Sequence, residues 1–161
     1  MIVESSQPRL FNWSNEAECK AFAERLAGSS ALRNALIELH GDLGAGKTTF
    51  VRHLLRALGV QGRIKSPSYA VVEPYSVVLS DASNLSIWHF DLYRFANPRE
   101  FEEAGFRDLL ASTGLKLVEW PEKAQGVLPV PDLALHITAF DEHAREVKAI
   151  AQTPRGQELM G

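Results

Sequence analysis

The chain has 161 residues, 45% hydrophobic and 23% charged, enough for one soluble domain with its own core. Its net charge of -3 gives no global electrostatic case for nucleic-acid binding, and its only cysteine, Cys19, excludes an internal disulfide and a cysteine-rich metal site. No apolar run approaches membrane-spanning length, and Met1-Ile2-Val3-Glu4-Ser5 has no basic region followed by an apolar run, so a cytoplasmic protein without signal peptide or membrane partner is expected.

Leu10-Phe11-Asn12-Trp13 reads as a short strand whose aromatics either pack in the core or wall a nucleotide base. Ser14 is the candidate N-cap of a helix running to about Ala27, with Glu16 and Glu18 in its first turn. Cys19 falls at helical spacing with Phe22, Ala23 and Leu26, which predicts a small buried side chain.

Ala35-Leu36-Ile37-Glu38-Leu39-His40 predicts a strand with one apolar face (Ala35, Ile37, Leu39) and one mixed face. A strand covered on both sides would be apolar throughout, so the second face is expected to be only partly covered, and His40 to be structural. Directly after it comes Gly41-Asp42-Leu43-Gly44-Ala45-Gly46-Lys47-Thr48, a complete G-x-x-x-x-G-K-T. Val51, Leu54, Leu55 and Leu58 then follow at i, i+3, i+4 and i+7, which predicts a helix ending near Gly59. Strand, glycine loop and helix in this order form a phosphate cradle. Glycines let successive N–H groups point inward, the helix N-terminus adds positive potential, Lys47 reaches the outer phosphates and the Thr48 hydroxyl meets Mg2+.

Gly62 to Tyr69 is a loop carrying Lys65, Ser66 and Ser68, placed where such a fold carries a phosphate-sensing switch; a solvated basic turn is the alternative. Ala70 to Leu79 and Leu85 to Asp91 predict an antiparallel hairpin, with Pro74 marking an edge or break. Asn97-Pro98-Arg99-Glu100 is a helix start that Gly105 soon stops. Leu115 to Glu119 predicts a buried strand, Leu133 to Phe140 and Glu146 to Ala151 two more, and residues 152–161 a flexible polar tail.

A phosphate-loop enzyme needs an acid near its metal, usually at a strand end. Asp91 and Glu119 both close hydrophobic strands; one would hold the metal and the other orient the attacking water, and spacing assigns neither role. No N-K-x-D or T-K-x-D guanine-selecting motif occurs, which disfavours a GTPase. A small-molecule kinase shares the loop, and Arg94, Arg99 and Arg107 are its candidate lid arginines, around a helix too short for a lid.

Four blocks in order resemble one family: Gly41 to Phe50, Lys65-Ser66-Pro67-Ser68-Tyr69, His89-Phe90-Asp91-Leu92-Tyr93-Arg94, and Val118-Glu119-Trp120-Pro121-Glu122. They are similar to the phosphate loop, the S-P-T-[FY] switch, the H-x-D-x-Y-R block and the V-E-W block of the TsaE (YjeE) family, and the likeness runs from about Ser14 to Val147. It implies a single-domain α/β fold of P-loop NTPase-like, three-layer type, with a mainly parallel central sheet and an antiparallel hairpin. It further implies an Mg2+-dependent ATPase of bacterial tRNA threonylcarbamoyladenosine synthesis, stimulated by the TsaB–TsaD pair and meeting tRNA only through it. On the same likeness ATP or ADP lies along Gly41, Asp42, Leu43, Gly44, Ala45, Gly46, Lys47, Thr48 and Thr49. Thr48 and Glu119 would hold Mg2+, Asp91 and Lys47 would act in hydrolysis, and Ser66 and Ser68 would belong to the switch. Trp120 would support the site or a partner contact, and Arg145 resembles a basic position near the family's last strands. Two departures stand out: Ser68 replaces the usual threonine and keeps its hydroxyl, and Glu18 stands where the first helix commonly carries a threonine. A small-molecule kinase and a nucleotide-dependent binding module with negligible turnover are the alternative readings.

Overall fold

The computed structural model describes residues 7–67 and 69–161. In chain order the strands are β1 (Arg9–Trp13), β2 (Leu36–His40), β3 (Val72–Val78), β4 (Asn84–Asp91), β5 (Leu115–Glu119), β6 (Leu133–Ala139) and β7 (Arg145–Ala151). The helices are α1 (Glu16–Ala27), α2 (Lys47–Leu58), α3 (Pro98–Glu103), α4 (Arg107–Ala111) and α5 (Pro154–Met160).

All seven strands form one sheet in the order β1-β7-β6-β2-β5-β4-β3. The middle four, β6, β2, β5 and β4, run parallel, so their C-terminal ends open on one edge. The expected hairpin is β3–β4, with Pro74 on the outermost strand, where a missing N–H costs no ladder bond. A second antiparallel edge, β6–β7–β1, closes the other side.

The two faces of β2 differ as its alternation predicts. Ala35, Ile37 and Leu39 are fully buried in the main cluster, beneath α1 and α2. Leu36 joins a smaller cluster on the opposite face with Phe90, Phe101 and Val118, covered by α3, α4 and the segment through Leu128. Layers on both faces of a mainly parallel sheet make the three-layer α/β fold. In α2, Val51, Leu54, Leu55 and Leu58 are buried as their spacing requires, and Gly59 ends the helix in the left-handed region, with its N–H on the Arg56 and Leu55 carbonyls. Trp13 belongs to the core: its ring stacks on Phe50 with centroids 5.9 Å apart.

Two expectations are corrected. The cap of α1 is Asn15, not Ser14; its side chain accepts the Glu18 N–H at 3.0 Å, and the Glu18 carboxylate turns back to take the Ser14 N–H at 2.6 Å. Glu18 is thus used in capping. The flexible tail expected over residues 152–161 is instead the site of α5, with Leu159 and Met160 buried in the main cluster. Thr153 caps this helix by accepting the Gly156 N–H at 3.1 Å, and Pro154 occupies its first turn. Both signals stand in the sequence; the burial of Leu159 and Met160 is tertiary.

Candidate functional site

A cleft of about 530 Å³ lies at the C-terminal edge of the parallel strands. That is where an open α/β sheet places its ligands, because the loops there diverge. Leu43, Gly44, Ala45, Gly46, Lys47, Thr48 and Thr49 line it from the loop and α2, Asp91, Tyr93 and Arg94 from β4 and beyond, Glu119 and Trp120 from β5, with Ser66 and Arg145 completing the wall.

The loop holds its shape through glycine. Gly41 has φ 153°, and a Cβ there would stand 2.6 Å from the Ile137 carbonyl of β6; Gly46 has φ 107° as it turns the chain into α2. Arg145, from β7, donates through Nε to the Ala45 carbonyl at 2.7 Å, pinning the loop from outside. Gly41 and Asp42, expected along the phosphates, do not line this cleft. They border a neighbouring cavity with His40 and His136, whose rings stack 4.2 Å apart.

Lys47 is 5% exposed, and its Nζ donates to the Gly41 carbonyl while lying 3.4 Å from the centre of the Trp120 ring. Burial pushes its ammonium below the usual lysine range, against the pull of Glu119, Glu122, Asp91 and Asp42. Thr48 Oγ1 donates to Glu119 at 3.0 Å. Glu119 is 2% exposed and also meets His89 Nε2 at 2.6 Å.

Strand pairing brings the two acids together. In the parallel β4–β5 ladder Asp91 is opposite Glu119, so their side chains leave the same face. Burial holds the Asp91 carboxyl above its usual range, with Glu119 pushing the same way and the Tyr93 N–H, donating at 3.0 Å, opposing. The Asp91 N–H donates to the Val71 carbonyl at 2.8 Å, and the Val71 N–H to the Pro67 carbonyl at 2.7 Å. Val71 itself is left-handed, φ 69°, which costs a β-branched residue about 1–3 kcal/mol. Trp120, φ 57°, is a second such residue, directly after Glu119. The segment around Ser66 is therefore wired to the Asp91 backbone through strained chain. Ser68 lies outside the described residues.

Among the described residues no group of three or more His, Cys, Asp or Glu side chains could hold a metal ion by itself. The donor set of Thr48 hydroxyl and Glu119 carboxylate is all oxygen, which suits a hard cation that keeps waters and takes its remaining ligands from phosphates. A second cavity, about 270 Å³, continues past Gly46, Thr49 and Arg145 and is lined by Trp13, Asn15, Glu16, Cys19, Glu142 and His143. The Trp13 indole N–H is buried without a partner among the described residues.

Spacing and motif pointed to Lys47, Thr48, Thr49, Asp91, Glu119, Ser66 and Trp120. Tyr93 lines the cleft through its place after Asp91 rather than through chemistry of its own. His89 was visible only as a motif letter; its i, i+2 relation to Asp91 on one strand was the signal that it shares that acid's face.

The family model described as "Threonylcarbamoyl adenosine biosynthesis protein TsaE" matches residues 13–147. The Haemophilus influenzae protein named tRNA threonylcarbamoyladenosine biosynthesis protein TsaE is 43% identical over 141 residues, covering 88% of this chain and 85% of that one. The Bacillus subtilis protein of the same name is 32% identical over 133 residues, covering 83% and 79%. The crystal structure of Bacillus subtilis YdiB superposes with a TM-score of 0.72 at 30% identity, over 97% of this chain and 95% of that one. No helix among the described residues is long and apolar enough to cross a membrane.

Proposed function

The chain belongs to the TsaE family, and from that premise we propose that it is the ATP-hydrolysing component of tRNA threonylcarbamoyladenosine biosynthesis, working with TsaB and TsaD in the cytoplasm. The observation that carries the ATPase reading is the meeting of Thr48 and Glu119 at 3.0 Å, at the N-terminus of α2, with Asp91 on the adjacent strand at the same level.

In this reading the amides of the Leu43–Thr48 loop and the start of α2 cradle the phosphates, and the second cavity, walled by Trp13 and Asn15, takes the nucleoside. Lys47 leaves the Trp120 ring for the outer phosphates, a short move for a cation stored on a neutral surface. Thr48 and Glu119 hold Mg2+, which when bound neutralises charge on the phosphate oxygens. Asp91, its carboxyl held high and its orientation set by the Tyr93 N–H, is suited to orient the attacking water and to accept its proton. Ser66 and Ser68 sense the outer phosphate, and the Pro67–Val71–Asp91 backbone link carries that state to the surface that meets TsaB–TsaD. tRNA is reached only through that pair, as the acidic net charge agrees.

The test is ATP hydrolysis with and without TsaB–TsaD, with Mg2+ and with EDTA, together with a screen for phosphorylated acceptors. Expected are Mg2+-dependent turnover, stimulation by the pair and no acceptor. A phosphorylated acceptor would turn the reading to a kinase, and undetectable turnover under every condition to a binding module. Titrating the pair in ATP, ADP and no nucleotide tests the switch; equal affinity in all three removes it.

A further inference from the structure

Lys47 and Glu119 are opposite charges, 5% and 2% exposed, that attract one another across one cleft. Two such groups tend to collapse into an ion pair when no ligand separates them. Among the described residues Lys47 makes no salt bridge; it rests on the Gly41 carbonyl and the Trp120 ring. Glu119 is held from its other side, by Thr48 Oγ1 at 3.0 and 3.1 Å and by His89 Nε2 at 2.6 Å.

His89 is fully buried, and its Nδ1 has no hydrogen-bond partner among the described residues. A buried polar atom left unpaired costs about 1–3 kcal/mol, a cost an apolar residue of similar volume would not carry. Among the described residues the ring makes one polar contact, to Glu119, and that contact needs the tautomer with the proton on Nε2. The placement follows from strand geometry: His89 lies two residues before Asp91 on the same face of β4, one step behind the Asp91–Glu119 pair.

We propose that His89 is a positioning residue that keeps Glu119 turned toward Thr48 and away from Lys47, so that the cation-holding carboxylate and the phosphate-seeking ammonium stay apart and ready. This rests on the reading of the cleft as an Mg2+–nucleotide site. Carboxylates that hold metals are themselves held by hydrogen-bond donors, and loss of such a donor typically weakens the metal 10–100-fold. His89 would be that donor.

Two substitutions separate position from packing. The amide nitrogen of His89→Gln reaches the place of Nε2, whereas that of His89→Asn stops near Nδ1. Binding of a fluorescent, non-hydrolysable ATP analogue is titrated with MgCl2, and thermal unfolding is recorded for each protein without nucleotide. Expected is an Mg2+ requirement near that of the unmodified protein for His89→Gln and about tenfold higher for His89→Asn. In a Glu119→Gln background the Asn change should add nothing further, because the partner it positions is gone. Equal Mg2+ requirements for the Gln and Asn variants, or an Asn effect that persists beside Glu119→Gln, would overturn the positioning role alone. If the unmodified protein shows no Mg2+-dependent binding of the analogue, the functional reading falls and this inference with it.

Discussion

Two buried carboxylates mark opposite ends of the same parallel strands, and they are built differently. Asp132, at the start of β6, is 7% exposed; it accepts the Leu36 N–H at 2.8 Å and the Thr153 hydroxyl at 2.6 Å, with Arg155 at 3.6 Å. Its partners come from a neighbouring strand and from the start of α5, so it ties the C-terminal helix to the sheet. Glu119, at the end of β5, is met by a threonine and by a histidine whose other nitrogen has no partner among the described residues, and it faces a lysine across the cleft. One end of the sheet satisfies its charge within the protein and is closed. The other leaves polar groups short of partners and opens onto a cleft. Incomplete satisfaction costs stability, and it persists where a ligand supplies the missing partners.

The comparison predicts that substitutions at the open end damage function and spare the fold, and that the closed end behaves in the opposite way. The largest effect is expected for Lys47→Ala, which removes the phosphate loop's own cation. Hydrolysis should fall about 100-fold or more, with the urea unfolding midpoint little changed. Undiminished turnover would remove the loop from the reaction.

Next in size is Asp132→Ala. Leaving the Leu36 N–H and Thr153 hydroxyl without an acceptor should cost about 2–4 kcal/mol in urea unfolding, while nucleotide affinity of the folded protein holds. Loss of affinity with no loss of stability would invert the comparison.

A smaller effect sharpens it. Because the folded protein raises the Asp91 carboxyl above its ordinary 3.8, the fold favours the protonated form. Stability from this group is present below that ordinary value and is lost as pH rises through the raised one. Asp91→Asn should therefore raise the melting temperature at pH 7, and the gain should disappear below about pH 3.8, while hydrolysis fails at every pH. A variant less stable than the parent at pH 7 would contradict the reading of Asp91 as a strained functional acid.

The smallest signal comes from Cys19, which lines the second cavity. Burial pushes its thiol up from 9.0 to about 12, with Glu16 adding to the shift. The folded protein should thus be alkylated by iodoacetamide at pH 8 at least about tenfold more slowly than the urea-unfolded chain, because only the thiolate reacts. The same group loses its contribution to stability as pH climbs from 9.0 toward 12, and Cys19→Ala should flatten that decline. Equal alkylation rates would place the thiol in solvent.

What the sequence determined by itself was local. The phosphate loop is contiguous, its glycine spacing is a backbone requirement, and the flanking strand and helix announce themselves by period. β5 is a short, mostly apolar stretch, Leu115-Lys116-Leu117-Val118, that reads as buried, and Asp91 and Glu119 are legible as acids at strand ends. The short-range signals for α5 were present as well, Thr153 followed by Pro154, yet a seven-residue helix is not stable on its own propensity. It exists because Leu159 and Met160 find the main core and Asp132 grips its cap, and both facts depend on residues about twenty or more positions away or on other strands. The same holds at the site. Which acid sits beside Thr48, that Asp91 and Glu119 pair across a ladder, that His89 stands behind them and that Lys47 rests on Trp120 are matters of strand order and register. Those are set by which faces can be buried together, a sum over the whole sheet that no single stretch of chain contains.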